Sequence, residues 1–169
     1  MTSEPPPASS WAVPPEFYTD ENAGTRSVRR RLVDLGYVVH TPAQLYGSRD
    51  QAQGAADQDW LARVGKHRWT VIGRDLKIYE RPEELEAYKR ARLQVFLLPG
   101  QGKAAELVEL IEINLHDICA ITPLRLIGTW RLTRAGLHPY DVEEAAKAAR
   151  RRTAPTSISP SVPLRRDRP

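Results

Sequence analysis

Trp69-Thr-Val-Ile-Gly-Arg-Asp75 is the stretch on which the fold turns. It is a short apolar run with β-branched residues, closed by a glycine and two charges. It is too short for a helix and reads as a strand over Trp69–Gly73 with Asp75 at its carboxyl end. The segment before it, from Asp57 to about Lys66, carries Trp60, Leu61 and Val64 at helical spacing, with Asp57 placed to cap. The segment after it opens on Pro82 and repeats Leu85 and Tyr88, again a helix. Gln94–Leu98 then reads as another strand. Strand and helix alternate around the decisive stretch.

The alternation continues in both directions. Phe17–Asp20 is a first strand, and a helix from about Thr25 to Gly36 buries Val28, Leu32 and Leu35. Tyr37–His40 is a second strand, and residues 42–56 have loop character. Lys103–Ala120 is a long amphipathic helix. Arg125–Leu132 is a fifth strand. Asp141-Val-Glu-Glu144 resembles a capping box for a last helix through Arg152. Helices between strands imply right-handed crossovers, so the fold class expected is α/β, with a mainly parallel sheet of about five strands. Residues 1–15 hold five prolines and read as a disordered leader. Residues 16–139 form the main domain, 140–152 a C-terminal helix and 153–169 a disordered basic tail.

Three acids sit where such a sheet gathers side chains. Asp20 and Asp75 end strands, and Asp57 starts a helix. Carboxyl ends of parallel strands line one edge, where sites form. Converging carboxylates repel unless a cation or proton joins them, and all-oxygen ligands select Mg²⁺ or Mn²⁺. Metal-assisted phosphodiester hydrolysis is the commonest use of that chemistry. Each acid also has a plainer reading. Asp20 fits a turn before a helix, and Asp57 fits an N-cap. Glu21 and Asn22 fit either a helix start or support for Asp20. Asp59 is an alternate ligand or a solvated first-turn acid. Arg74, Lys77 and Arg81 are phosphate-contact candidates or surface cations. Arg26, Arg29, Arg30 and Arg31 are a solvated helix face or a track for a nucleic-acid backbone. An acidic pocket on a parallel sheet also occurs in phospho-acceptor receiver domains. Those need a Lys and a Thr or Ser at later strand ends, and Leu97–Gly100 offers neither.

The chain has 169 residues, 41% hydrophobic and 27% charged, ordinary for a globular domain. No long apolar run marks a membrane span and the N-terminus has no signal-peptide pattern, so a cytoplasmic protein with no membrane partner is expected. The single Cys119 excludes an internal disulfide and reads as a buried inert thiol. Residues 140–169 carry +3 of the net +4, so the folded part is nearly neutral. Net charge is therefore no argument for nucleic-acid binding; a local patch is required.

Taken together, Thr19-Asp-Glu-Asn22, Leu35-Gly-Tyr-Val-Val-His40, Asp57-Gln-Asp-Trp-Leu61, Val71-Ile-Gly-Arg-Asp75, Lys77-Ile-Tyr-Glu-Arg-Pro82 and Val95-Phe-Leu-Leu98 resemble the PIN-like nuclease domains. The small stand-alone branch related to VapC-type toxins is the nearest likeness, over about Phe17 to Gly136. The resemblance implies a three-layer α/β/α sandwich and metal-dependent cleavage of RNA. It places the family's acidic positions, and so the catalytic and metal-binding roles, on Asp20, Asp57 and Asp75, with Mg²⁺ or Mn²⁺ as cofactor. RNA is the implied substrate, and an antitoxin and a second copy of the chain are the implied protein partners. Two departures stand out. Gly73 occupies a position where the family often has Thr or Ser, and a fourth acid has no clear counterpart.

Overall fold

The computed structural model describes residues 3–20, 23–53, 57–74 and 79–154. Among the described residues six strands form one sheet: β1 (Phe17–Thr19), β2 (Val39–His40), β3 (Thr70–Gly73), β4 (Gln94–Leu97), β5 (Gly128–Thr133) and β6 (Gly136–Tyr140). Their order is β2-β1-β3-β4-β5-β6. The first five run parallel, and β6 returns antiparallel to β5. Among the described residues seven α-helices flank the sheet: α1 (Ala23–Asp34), α2 (Pro42–Tyr46), α3 (Arg49–Gln53), α4 (Asp57–His67), α5 (Pro82–Ala91), α6 (Ala104–Ile121) and α7 (Val142–Thr153). Helices α2 and α3 occupy the stretch expected to be loop. The capping box of Thr41 and Gln44 starts α2, and Gly47 ends it at φ 82°.

The strands alternate their side chains between two cores. Phe17, Ile72 and Phe96 face α1 and α6, and meet Val28, Leu32, Ile111 and Leu115. Tyr18, Val71 and Val95 face the other way, towards Leu61 and Val64 of α4, Leu85 of α5 and Ala146 of α7. Strands buried on both sides are what a parallel sheet requires. The result is an α/β/α sandwich, as expected. Asp141 caps α7 by accepting the Glu144 N–H at 3.0 Å. Among the described residues, no helix is long and apolar enough to cross a membrane.

The sheet, expected to hold about five strands, has six among the described residues. The hairpin turn between β5 and β6 is held by Thr133, whose hydroxyl donates to the Gly136 carbonyl at 2.9 Å and accepts from the Ala135 N–H at 3.1 Å. Pro139 lies within β6, which is why the stretch does not look like a strand; an edge strand tolerates the missing donor. The leader also packs. The Ala8 N–H donates to the Leu35 carbonyl at 2.9 Å, and Ala8 is buried against the main core. Trp11 Nε1 donates to the Tyr37 hydroxyl at 3.0 Å, and that hydroxyl donates to the Pro6 carbonyl at 2.8 Å. Proline lowers the entropy of the unfolded chain, so a Pro-rich segment with one tryptophan to bury orders cheaply. At the other end α7 runs through Thr153, and the tail from residue 155 lies outside the described residues.

Candidate active site

The strand order reverses between β1 and β3. Chain direction leads from β1 outward to β2, then back across β1 to β3. Such a switch point opens a crevice at the carboxyl ends of the two strands, because the loops there diverge to opposite sides of the sheet. Thr19 pairs with Ile72, so Asp20 leaves β1 level with Gly73, the last residue of β3. Sequence alone then brings Asp75 two residues beyond Gly73.

Asp20 is half-buried and anchored. The Thr25 hydroxyl, from the first turn of α1, reaches both the Asp20 carbonyl at 2.9 Å and Asp20 Oδ1 at 3.0 Å. Thr25 is fully buried, so the anchor is rigid. One hydroxyl hydrogen shared between two oxygens fixes the carboxylate without saturating its lone pairs. Thr19, just before it, is also fully buried, and its hydroxyl has no hydrogen-bond partner among the described residues.

Arg74 follows β3 and crosses the same edge. Its Nε donates to the Pro99 carbonyl at 2.9 Å and its Nη2 to the Gly100 carbonyl at 2.8 Å. A Cβ on Gly24 would lie 1.8 Å from Arg74 Nη1, so the guanidinium lies against the start of α1. It therefore ties together the carboxyl ends of β3 and β4 and the first turn of α1. This is a framework role that the sequence did not reveal.

Helix α4 runs into β3 through a two-residue connection, so its C-terminus lies at the amino edge of the sheet. At 1.5 Å per residue its eleven residues carry Asp57 back towards the carboxyl edge. Asp57 thus opens α4 on the same edge as Asp20, as expected of a crossover helix; its side chain lies outside the described ones. Asp59 turns elsewhere: Arg63 Nε donates to its Oδ2 at 3.0 Å on the exposed face of α4. Arg81 sits at the N-cap of α5, and its Nη1 donates to Glu84 Oε1 at 2.7 Å. Glu84 is buried, and its Oε2 has no hydrogen-bond partner among the described residues. A buried, half-satisfied carboxylate in the first turn of α5 escaped the sequence reading, because a Glu there looks like ordinary helix-dipole support. Glu21, Asn22, Asp75 and Lys77 lie outside the described residues.

Among the described residues no three His, Cys, Asp or Glu side chains gather as metal ligands. The donor available at the edge, the anchored Asp20 carboxylate, is a hard oxygen ligand and suits a hard dication. His40, though it ends β2, is turned away from this edge. Its Nε2 meets Glu16 Oε2 at 2.7 Å and its ring stacks on Trp69 at 3.7 Å between centroids.

On the basic face of α1, Arg31 is drawn off by Glu112 on α6, at 2.5 Å. Arg26 and Arg30 are exposed.

Compared with known proteins, the chain matches no curated protein and no solved structure. Residues 15–100 do match a family described as PIN like domain. That stretch runs from the entry to β1 through the end of β4, and so contains the switch point, Asp20, α4 and Arg74. The chain belongs to the PIN like domain family.

Proposed function

We propose that the protein is a divalent-metal-dependent endoribonuclease whose active site is the carboxyl edge of β1 and β3. The observation that carries the reading is Asp20, fixed by Thr25 at the switch point of a PIN-like sheet. Asp20, Asp57 and Asp75 hold Mg²⁺ or Mn²⁺ there, with Glu21 and Asn22 in support. When bound, the metal supplies Lewis-acid polarisation of the scissile phosphodiester and charge neutralisation. The chain itself contributes rigid carboxylates, orientation by Thr25, and an edge framed by Arg74. Lys77 and the exposed Arg26 and Arg30 offer positive charge to the RNA backbone. A nuclease of this kind needs restraint in a cell, so a toxin paired with an antitoxin is the biological setting we favour, with homodimerisation as in many small domains.

The test is cleavage of end-labelled RNA with Mn²⁺ against EDTA, on wild type and Asp75→Asn. Asparagine keeps the size and removes the charge on which a hard dication depends. Cleavage that needs Mn²⁺ and vanishes in the variant supports the reading. Cleavage indifferent to both overturns it. A second reading, a PIN-like binding module without catalysis, is favoured by one feature: Gly73 supplies no hydroxyl at the carboxyl end of β3. RNA binding without cleavage, in wild type with Mn²⁺, would select it.

A further inference from the structure

The opposite edge of the sheet, where the strands begin, holds a cleft of about 1390 Å³. Lys66, Arg68, Arg90, Arg92 and Arg125 line it. All five are exposed, and among the described residues none carries an ion pair. The two acids on the lining are already engaged, Glu16 with His40 and Asp59 with Arg63. With five cations against two acids, the cleft lining is net positive in a folded part that is nearly neutral.

Three of these cations share an unusual backbone. Arg68, Arg92 and Arg125 have φ of 57°, 54° and 53°, and among the described residues no other non-glycine residue has positive φ. Each stands where a helix or turn hands over to the next strand: Arg68 before β3, Arg92 before β4, Arg125 before β5. Helix ends of this left-handed type normally take Gly or Asn, because a Cβ strains against the following carbonyl oxygen, which Gly avoids and Asn offsets by local hydrogen bonding. One strained arginine is an accident of packing. Three at the entries to three adjacent strands point to a demand for charge there that outweighs the strain. Neighbouring strands lie about 4.8 Å apart; Arg68 and Arg92 stand level, two residues before their strands, and Arg125 stands one residue further out before β5.

An aromatic stack borders the row. The Trp69 ring has His40 at 3.7 Å and His67 at 4.2 Å, both within 10° of parallel. Two rings this close to one centroid cannot share a face, so the indole is sandwiched, and exposed His67 forms the outer layer. Gln94 joins the lining with a buried Nε2 that has no hydrogen-bond partner among the described residues.

We infer that this cleft binds the backbone of single-stranded nucleic acid, with phosphates along Arg68, Arg92 and Arg125 and a base stacked on His67. A row of cations at the entries of three adjacent strands suits a polymer that carries one negative charge per unit, and a stacking ring beside it suits an unpaired base. An acidic protein segment offers no base to stack on His67. The cleft lies across the sheet from Asp20 and works without metal, so it stands apart from the proposed active site.

The test uses the full chain in EDTA, with fluorescent oligo(U) and oligo(dT) read by anisotropy at 50 and 200 mM salt (conditions chosen to expose counterion release). Binding should weaken steeply with salt. R68G/R92G/R125G should weaken it at least tenfold while its melting temperature holds or rises, since glycine suits the left-handed positions. R150Q/R151Q/R152Q on α7 removes the same charge and should leave most of the affinity. Photo-crosslinking of 5-iodouridine oligomer to the wild-type chain should map to residues 66–69. Absence of binding at 50 mM salt overturns the inference. So does equal loss in the α7 variant, or crosslinks confined to residues 20–30. Polyglutamate competing as well as oligo(U) would assign the cleft to an acidic protein segment instead. None of these readouts depends on cleavage, so failure of the nuclease reading leaves them intact.

Discussion

The Thr25 hydroxyl holds Asp20 twice, at its carbonyl and at its carboxylate, within 3.0 Å of each. The contact joins the end of β1 to the first turn of α1 and sets where the acid points. Thr25→Val removes the hydroxyl and keeps the shape. It should cost about 1–2 kcal/mol of stability, since the hydrogen bond is charge-assisted and half-buried. Cleavage of RNA should fall further than stability predicts, and Thr25→Ser should recover both. Urea unfolding and initial cleavage rates check this; a Val variant as active as wild type would separate Thr25 from the site.

Gly73 ends β3, and among the described residues a Cβ built on it meets nothing within 4 Å. Gly73→Thr should therefore fit without displacement. It should add about 0.5–1 kcal/mol by removing glycine's entropy from the unfolded chain. It also restores a hydroxyl beside the proposed metal position, so the apparent Mn²⁺ affinity should rise. Thermal unfolding with and without Mn²⁺ measures both effects.

The packed leader makes a prediction that composition alone would deny. Trp11→Ala removes the hydrogen bond to Tyr37 and the half-buried ring beside His116. The expected loss is about 2 kcal/mol, or roughly 4–8 °C in melting temperature for a chain of this size. Deleting residues 1–12 should lose at least as much. An unchanged melting temperature after deletion would show that the leader contributes nothing.

Alkaline pH should find the same region. Burial pushes the Cys119 thiol up to about 11, and burial raises the Tyr37 hydroxyl as well. Cys119 donates to Tyr37 at 3.4 Å, so the two sit in one pocket. Their folded values lie above the unfolded ones, so the stability they contribute is fully present below about pH 8.5. It is lost as pH rises towards 11, by about 1–2 kcal/mol near pH 10 for the thiol. Cys119→Ala should flatten the fall between pH 8.5 and 10. Iodoacetamide should label native Cys119 slowly at pH 8 and quickly in urea.

Much of the fold lies in local pattern. Thr70–Gly73, Gln94–Leu97 and the helical stripe of α6 are written in short-range periodicity, because burial repeats every two or every 3.6 residues whatever the partner. The acids Asp20, Asp57 and Asp75 could be singled out for the same reason, as residues at element ends. The ordering of residues 3–15 and the sixth strand depend on surfaces supplied by distant residues, Tyr37 in one case and β5 in the other. No local pattern carries those. The anchoring of Asp20 by Thr25, the brace of Arg74 across Pro99 and Gly100, and the row of Arg68, Arg92 and Arg125 were likewise decided by tertiary structure. Periodicity states which face of an element is apolar. Only the strand order states which ends meet, and charges that are scattered through the sequence become a site only when those ends meet.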